Sequence, residues 1–557
     1  MPATHEVTNQ VPDLVGHDVA ADPPLLEALE REGAGWYRDE LHEVGRLSGS
    51  AVAAEWADAA HRNEPRLRTH DRVGHRIDEV DYDPGYQELT RVAVEHGFAG
   101  APWADERPGA HVARAAGYMT WTQVEAGHGC PITMTYAVLP ALRAAPDLLE
   151  RFGPGLTSRV HDPGLRVPEA KRGLLAGMGM TEKQGGSDVR ANTTVARPEG
   201  SDGIYRLTGH KWFTSAPMCD LFLVLAQVAR TRSVEGSTPI GEPDHRGGGL
   251  TCFLVPRVLP DGTRNTFRIQ RLKDKLGNRS NASSEPEFDE TVAWRVGDEG
   301  RGVRTIIEMV ACTRLDTALG STAGMRAAVS RAAHHVRHRA AFGRTLIDQP
   351  LMREVLADLA CESEGAIALS MRLAGAQDRA GRDEHEAAFR RIGVTLGKYW
   401  ICKRQTAVVG EALECLGGNG YVEESGMPRL FREAPLNSIW EGSGNVNALD
   451  LLRLLAREPA TLEAYRAEVL GVDDRVDAGF KDVEAELAAP DERGARRLAE
   501  RMAVLLTGAL LVRNAPGAVA DAYVSSRVAG DHGHAFGTLP RGVDVDALLA
   551  RLPETEA

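Results

Sequence analysis

The stretch Trp440-Glu441-Gly442-Ser443-Gly444-Asn445 places one carboxylate among small residues. Glycine, serine and asparagine are typical of turns, and small residues let other groups approach the backbone closely. A carboxylate on such a turn can serve as a base if its surroundings are dry enough to raise its pKa. The stretch therefore indicates a turn that carries a candidate base.

Two upstream segments complement this turn. Residues 180–188, Met-Thr-Glu-Lys-Gln-Gly-Gly-Ser-Asp, are rich in glycine, hydroxyl groups and backbone N–H donors. Residues 209–215, Gly-His-Lys-Trp-Phe-Thr-Ser, place an aromatic ring two residues before a hydroxyl. A base, a donor-rich loop and an aromatic wall suit a flat redox cofactor that carries phosphate groups.

These three segments resemble the acyl-CoA dehydrogenase family of flavoproteins, and most closely its AidB-like adaptive-response branch. The resemblance runs from Arg31 to about Leu455, and it includes residues 131–135, 273–281 and 428–433. The last hundred residues resemble the branch only loosely. The resemblance implies FAD as the cofactor and a homo-oligomer, with a tetramer as the expected state.

Composition sets the class of protein. The chain has 557 residues, of which 43% are apolar and 26% charged, so we expect several domains. No apolar run approaches the length of a membrane span, and the first residues lack the shape of a signal peptide. Seven scattered cysteines argue against a disulfide framework and against a structural zinc site. A cytoplasmic protein without a bound metal is expected.

Periodicity changes along the chain. Helix-like apolar spacing dominates before residue 150, strand-like runs appear at 221–225 and 250–255, and helices return after Gly302. Residues 1–30 are polar and predict an arm outside the core, and residues 235–249 predict a flexible loop. We expect an α+β, mostly helical fold of the acyl-CoA dehydrogenase type. Its predicted parts are an N-terminal arm (1–35), a helical domain (36–175), a β-domain (176–295), a helical flavin-binding domain (296–450) and a helical C-terminal domain (451–557).

The resemblance assigns cofactor contacts in the central region. Met180 and Thr181 would touch the flavin ring, Ser187 would meet the pyrophosphate, and Trp212 would flank the ring. Gly186 is also implied to bind the cofactor. Thr214 would point its hydroxyl toward flavin N5. The residues alone leave other interpretations open, namely an ordinary Gly-Ser loop and a core tryptophan beside a structural threonine.

A second set of cofactor contacts is implied further along. Arg339 and Phe342 match the family's Arg-x-x-Phe-Gly motif, in which the arginine meets the pyrophosphate of a neighbouring subunit's cofactor. A guanidinium fork suits two phosphate oxygens, although a lone arginine on a helix is also an ordinary solvated charge. Further residues are implied to border the cofactor: Gln349, Gly417, Gly418, Gly442, Ser443 and Asn445.

Glu441 is the candidate catalytic base. Oxidation of an acyl thioester removes an α-proton while a hydride leaves the β-carbon, so a base must lie close. Family members carry this glutamate either here or on an earlier helix, where this chain has Thr313. The alternative is a glutamate retained for the structure of the turn.

The C-terminal region raises a second possible function, because AidB-like proteins bind double-stranded DNA. Residues 451–557 hold 13 Lys and Arg against 18 Asp and Glu, which is not a basic module. A helical wheel nevertheless places four arginines on one face, and such a stripe can contact phosphates. The candidates are Arg493, Arg496, Arg497 and Arg501, with Arg453 as a fifth. The alternative function is a DNA-associated alkylation-response protein whose flavin is mainly structural or protective.

Overall fold

A computed structural model describes residues 4–200, 203–229, 249–553 and 555. Most of the loop predicted between residues 235 and 249 therefore lies outside the described residues. The chain divides into two compact units. One unit comprises Met1–Ala54, Arg107–Ala126 and Arg314–Ala557, and the other comprises Glu55–Glu106 and Gly127–Thr313.

Seven helices and one hairpin make up the N-terminal third of the described chain. In chain order they are α1 (Pro23–Arg31), α2 (Arg38–Ser48), α3 (Ala51–Arg62), β1 (Arg66–His70), β2 (Arg76–Asp81), α4 (Pro84–Glu95), α5 (Ala110–Trp121), α6 (Gly129–Leu142) and α7 (Pro146–Leu156). The hairpin was not predicted, because its strands are charged and only half-buried, so no apolar alternation marks them.

The expectation that residues 1–30 form an arm outside the core is wrong from Ala20 onward. Helix α1 begins with Pro23 in its first turn, where a missing N–H costs nothing. Its Leu25, Ala28 and Leu29 are buried, and they repeat at the spacing of one helix face. The segment looks polar because its other face is exposed.

The central sheet contains eight strands. They are β3 (Ala176–Gly179), β4 (Val195–Glu199), β5 (Ile204–His210), β6 (Thr214–Ser215), β7 (Leu221–Val228), β8 (Leu250–Pro256), β9 (Arg268–Leu272) and β10 (Ser283–Val296). The two strands expected from apolar runs are confirmed as β7 and β8. Pairings β7–β8, β8–β10, β10–β5, β5–β4 and β4–β7 close into a ring. Strand β7 is buried on both faces, since seven of its eight residues are buried.

Long helices follow the sheet. They are α8 (Gly302–His338), α9 (Pro350–Arg379), α10 (Glu384–Cys415), α11 (Met427–Glu433) and α12 (Gly444–Arg457), with a short hairpin of β11 (Ala340–Ala341) and β12 (Arg344–Thr345) before α9. The predicted stop of α10 is confirmed, because Gly417 follows it at φ +58°. The mostly helical α+β fold class is confirmed.

The C-terminal segment is also helical. It contains α13 (Pro459–Val469), α14 (Asp474–Leu487), α15 (Ala495–Asn514), α16 (Gly517–Tyr523) and α17 (Val545–Leu549), with one π-helical turn at Val524–Val528. Its helices pack on α9, α10 and α12, so it belongs to the same compact unit as those helices. Among the described residues no helix is long and apolar enough to cross a membrane.

Buried ion pairs join distant segments of this unit. Arg326 on α8 holds Asp22 through two hydrogen bonds of 2.6 and 3.0 Å, and their side chains are 2% and 3% exposed. Arg326 also donates to Ser363 on α9 and to the carbonyl of Arg551. The Arg551 guanidinium in turn binds Glu27 on α1 and Glu364 on α9. The two arginines thus bridge four segments far apart in sequence.

Replacing Arg326 by Met should strongly destabilise this unit. Removal of one partner leaves the Asp22 carboxylate buried and unpaired, which costs about 3–5 kcal/mol. Urea unfolding followed by circular dichroism should show this loss. The control is Glu463→Gln, which breaks an exposed pair with Arg466 and should cost less than about 0.5 kcal/mol. Equal stability of the two variants would contradict the role given to Arg326.

Candidate functional site

A fully buried ion pair organises the loop at 180–188. The side chains of Glu182 and Lys211 are 0% exposed, and Lys211 Nζ lies 2.7 Å from Glu182 Oε1. The other carboxylate oxygen accepts hydrogen bonds from the Thr193 backbone and hydroxyl and from Gln184. Thr194 N donates to Oε1 at 3.1 Å. Every charge of the pair is therefore met by a partner, as burial requires.

The pair remains ionised near neutral pH. Burial favours the neutral form of Glu182, but the Lys211 ammonium and the donated hydrogen bonds outweigh it and lower its pKa to about 2. Burial also lowers the pKa of Lys211 to about 8, against the opposing attraction of Glu182. Lys211 donates in addition to the carbonyl of Leu225 on β7, at 2.7 Å. The pair therefore anchors the loop to the sheet.

This anchoring brings the loop and the aromatic segment together. Trp212 follows Lys211 directly, and its backbone N–H donates to the carbonyl of Thr181 at 2.8 Å. The side chain of Asn192 donates to the carbonyl of Met180 at 2.9 Å. Lys273 lies over the indole of Trp212, with Nζ 3.2 Å from the ring centroid. Met180, Thr181 and Trp212 are thus held as one group.

The Thr214 hydroxyl is a buried polar atom without a hydrogen-bond partner among the described residues. Thr214 starts β6, where it pairs with Ser284 of β10, and it is 1% exposed. A buried hydroxyl without a partner costs free energy, so such an atom in a structure calls for an explanation. A ligand atom that hydrogen-bonds to it would satisfy it.

Glycine is required at one position of the loop. A Cβ atom on Gly186 would lie 2.6 Å from Oγ1 of Thr181, which is far too close. Gly186 and Ser187 are themselves exposed. The loop therefore folds tightly against Thr181 and leaves its tip open to solvent, where it could meet phosphate oxygens.

Glu441 lies in the other unit, on the turn before α12. Its φ is +56°, a left-handed conformation that residues other than glycine rarely adopt. Arg314 on α8 donates to the Glu441 carbonyl at 3.0 Å, and it also contacts Asp450 at 2.7 Å. Lys398 on α10 donates to the Gly442 carbonyl at 2.7 Å. Two cations therefore hold the backbone of the turn.

Lys398 also interacts electrostatically with the side chain of Glu441. Burial lowers the pKa of Lys398, while the nearby Cys402 and the Glu441 carboxylate oppose this shift. Asn447 Nδ2 adds a further contact of 2.6 Å to the Gly442 carbonyl and one of 3.1 Å to that of Ser443. The strained turn is thus fixed by neighbouring side chains, which is how such a conformation persists.

Helix α8 offers no competing base at the earlier position. Thr313 is buried, and its hydroxyl donates to Val310 O within the helix at 3.1 Å. The next carboxylate, Asp316, is buried in a bidentate ion pair with Arg114, in which Nη2 lies 2.7 Å from Oδ2. Glu441 therefore keeps its place as the candidate base.

The β11–β12 hairpin groups three predicted cofactor contacts. Arg339 precedes β11 and donates to the carbonyl of Asn9. Gln349 donates to the carbonyl of Ala341 at 3.1 Å. Phe342 sits at the tip with φ +54°, and it is 99% exposed. A fully exposed phenylalanine in a left-handed conformation carries two costs that a partner surface could offset.

The predicted site residues thus fall into two groups. Met180, Thr181, Gly186, Ser187, Trp212 and Thr214 lie in the unit that contains the sheet. The other unit holds Arg339, Phe342, Gln349, Gly417, Gly418, Glu441, Ser443 and Asn445. Gly417 and Gly418 are exposed after the end of α10, and Ser443 and Asn445 flank the start of α12.

The predicted four-arginine helix face is wrong for Arg493. Helix α15 begins at Ala495, so Arg493 lies in the preceding turn. Arg497 and Arg501 both contact Glu486 on α14, and Arg496 reaches the Tyr399 hydroxyl at 3.5 Å. Arg453 pairs with Asp450 at 3.0 Å. That these arginines contact DNA stays a prediction.

The sequence did not single out the residues that hold the site. Glu182 and Lys211 are 29 positions apart, and Arg314 lies 127 positions from Glu441. Lys398 and Asn447 are likewise ordinary members of helices in the sequence. Lys211 lies directly after β5 and before β6, and a lysine between two strands of a sheet is the one signal of a buried charge that needs a partner.

Comparison with known proteins identifies the family. The sequence model of the adaptive response protein AidB N-terminal domain matches residues 9–163. Models of the acyl-CoA dehydrogenase middle and C-terminal domains match residues 177–291 and 300–456. The chain is 45% identical to the putative acyl-CoA dehydrogenase AidB of Escherichia coli K12, over 93% of this chain and 94% of that one.

The chain belongs to the acyl-CoA dehydrogenase family. Within this family of flavin oxidoreductases it falls in the AidB-like branch, as the resemblance predicted. The solved structure of Caenorhabditis elegans ACDH-11 in complex with C11-CoA is similar, with a TM-score of 0.81 and 26% identity. That likeness covers 99% of this chain and 93% of the other. A structure described as Bd2924 in its apo form has a TM-score of 0.79 and 27% identity, covering 93% and 100%.

Replacing Glu182 by Gln should loosen the loop while preserving its shape. The variant leaves the Lys211 charge buried without a counterion, so residues 180–194 should open more often. Hydrogen–deuterium exchange should show loss of protection there, by at least about tenfold, which is about 1.4 kcal/mol of opening free energy. The control Glu199→Gln breaks an exposed pair with Arg206 and should leave protection unchanged. Parent-like exchange in Glu182→Gln would refute the anchoring role.

Proposed function

We propose that this chain binds FAD and oxidises an acyl thioester, with Glu441 as the base that removes the α-proton. The observation that carries the proposal is the Glu441 turn. Arg314 and Lys398 donate hydrogen bonds to the backbone carbonyls of this turn. Asp316, the first carboxylate after Thr313 on α8, is already paired with Arg114. A base must be fixed within reach of one proton, and a turn held in a left-handed conformation fixes it.

The residues in the sheet unit fit a flavin. Thr214 offers a buried hydroxyl that lacks a partner, which suits a hydrogen bond to flavin N5. Trp212 offers an aromatic face that would exclude water from one side of the ring. The open tip at Gly186 and Ser187 would supply N–H and hydroxyl groups to the pyrophosphate. The donor set therefore matches an aromatic ring with a phosphate tail.

The reaction divides the work between the cofactor and these side chains. The chemistry that FAD supplies when bound is acceptance of the β-hydride at N5. Glu441 takes the α-proton, and the electron pair of that C–H bond becomes part of the new α,β double bond. Thr214 and the loop orient the ring, and Trp212 keeps water out. The complex of the similar ACDH-11 with C11-CoA supports an acyl-CoA as the substrate class.

The variant Glu441→Gln should lose acyl-CoA oxidation while keeping FAD. The amide preserves shape and hydrogen bonding but cannot accept the proton, so bleaching of the flavin by acyl-CoA should slow by at least about 10²-fold. Anaerobic stopped-flow absorbance measures this rate across a panel of chain lengths. The control Glu424→Gln alters an exposed carboxylate and should bleach like the parent. If Glu441→Gln also bleached at the parent rate, another group would have to be the base.

We further propose that FAD is shared between copies of this chain, with Arg339 reaching a neighbour's pyrophosphate. Two exposed apolar side chains on the Arg339 hairpin and at the start of α9 support it. Phe342 is 99% and Leu351 82% exposed, and apolar surface of this kind is typical of interfaces. The expected assembly is a homotetramer. Among the described residues the hydrogen-bond partner of the Arg339 guanidinium is the Asn9 carbonyl, a neutral group that a phosphate could replace.

Replacing Arg339 by Ala should weaken FAD retention, because a bidentate contact to phosphate is lost. Flavin absorbance after gel filtration reports retention, and light scattering reports the state of assembly. The control Arg344→Ala removes an exposed arginine from the same hairpin and should keep FAD. Dilution of the parent to monomers should release FAD. A monomer that retains FAD would contradict sharing.

The alternative role in a DNA-associated alkylation response stays a prediction. Phosphate contacts would have to compete with existing ones, because Arg453, Arg497 and Arg501 already pair with carboxylates. Exposed pairs of this kind are weak, so exchange of partners is inexpensive. No contact in the described chain favours this role over the oxidoreductase role.

A further inference from the structure

A cavity of about 330 Å³ lies inside the unit that contains the sheet. Its walls come from strand β2, helix α4, the segment 160–175 and the segment 216–220 that leads into β7. None of the residues assigned to the flavin or to the base lines it. Its size falls at the lower end of the range for small-molecule sites. It is therefore a separate place where a ligand could bind.

Two stacked tyrosines form one wall. The rings of Tyr82 and Tyr86 are nearly parallel, with centroids 4.5 Å apart and an angle of 13° between the planes. Both residues line the cavity, and both of their hydroxyl oxygens are buried. Val94, Leu174 and Met218 add aliphatic surface. Aromatic faces of this kind favour stacking with another ring.

The charged groups of the wall are already neutralised. Lys171 and Asp220 form a buried pair of 2.6 Å, and Lys171 also donates to the carbonyl of Gly164 at 3.1 Å. The second oxygen of Asp220 accepts from the Leu175 backbone at 3.0 Å. Asp162 accepts from the Arg172 backbone at 3.0 Å and pairs with Arg166. No carboxylate or ammonium among these is left to compensate a charged ligand.

The remaining ionisable groups point to the same conclusion. At the rim, Glu79 contacts Arg68 at 3.0 Å and also Arg264, while Asp81 contacts Arg68 at 2.8 Å. Burial, together with the charges of Lys171 and Arg91, lowers the pKa of His161, so this ring is neutral near pH 7. A charged ligand would lose its hydration without gaining a counterion, which is costly.

We propose that this cavity is a binding site for a neutral aromatic molecule of one or two rings, stacked against Tyr82 and Tyr86. The site does not depend on the proposed flavin chemistry, because it shares no residue with it. Its floor adjoins Leu175, directly before β3, and β3 ends one residue before Met180. An occupant would therefore touch the residue that directly precedes the strand leading into the 180–188 loop.

The test compares three molecules of similar size but different charge. 2-(2-Naphthyl)ethanol, 2-naphthylacetate and 2-(2-naphthyl)ethylamine carry the same rings with a neutral, an anionic and a cationic group. Isothermal titration calorimetry on the full chain should give a Kd below about 1 mM for the alcohol. The two charged molecules should bind at least tenfold more weakly.

Variants locate the binding. Val160→Trp places a bulky ring in the half-buried wall and should weaken binding of the alcohol at least tenfold. Val73→Trp, at an exposed turn with 59% exposure, is the matched control and should bind like the parent. Gln87→Trp at the cavity edge gives a second test if Val160→Trp does not fold.

Three results would overturn the proposal. One is the absence of measurable binding of the alcohol to the parent. Another is equal affinity for the three molecules, which would mean that charge plays no part. The third is parent-like affinity in the folded Trp variant at residue 160 or, failing that, 87, which would place the binding elsewhere.

Discussion

The buried contact between Glu182 and Lys211 is the interaction on which the candidate cofactor loop of the sheet unit depends. Two ions removed from water are tolerated only if every donor and acceptor is met, and here five donors converge on one carboxylate. Those donors come from the loop itself, from the two residues directly before β4 and from the residue directly after β5. A change in any of them disturbs the position of Trp212 and Thr181 together, because Trp212 bonds directly to Thr181.

At the turn that carries Glu441, charged side chains bind backbone carbonyls. Arg314 and Lys398 bind carbonyl oxygens of the backbone, so their hydrogen bonds fix the position of the turn. Arg314 is itself neutralised by Asp450, nearly two turns into α12. The turn that carries the candidate base is thereby tied to α8, α10 and α12 at once. Precise placement of this kind is what proton transfer requires, since an error of about 1 Å can cost about 10²-fold in rate.

Sequence patterns predicted those elements of the fold that are determined by their own local sequence. Strands β7 and β8 are continuous apolar runs, and Gly417 marks the end of α10 because it adopts a left-handed conformation. Glu441 and Thr214 were predicted as site residues through motif resemblance, and their roles stay predictions. The β1–β2 hairpin, the buried half of the N-terminal segment and the partners of Glu182 and Glu441 were missed. Each depends on contacts between residues far apart in sequence, which local periodicity does not encode.

The bridge made by Arg551 has a consequence for synthesis of the chain. Arg551 is synthesised 524 residues after its partner Glu27. Glu364 pairs with the same guanidinium, so its ion pair also forms only after Arg551 has been made. At about 5–20 residues per second, roughly 30–100 s separate the two partners on the ribosome. During that interval α1 and α9 carry carboxylates that cannot be buried. The helical unit therefore completes this bridge only after translation has passed α17, and until then the surface that the bridge closes stays open to chaperones and proteases.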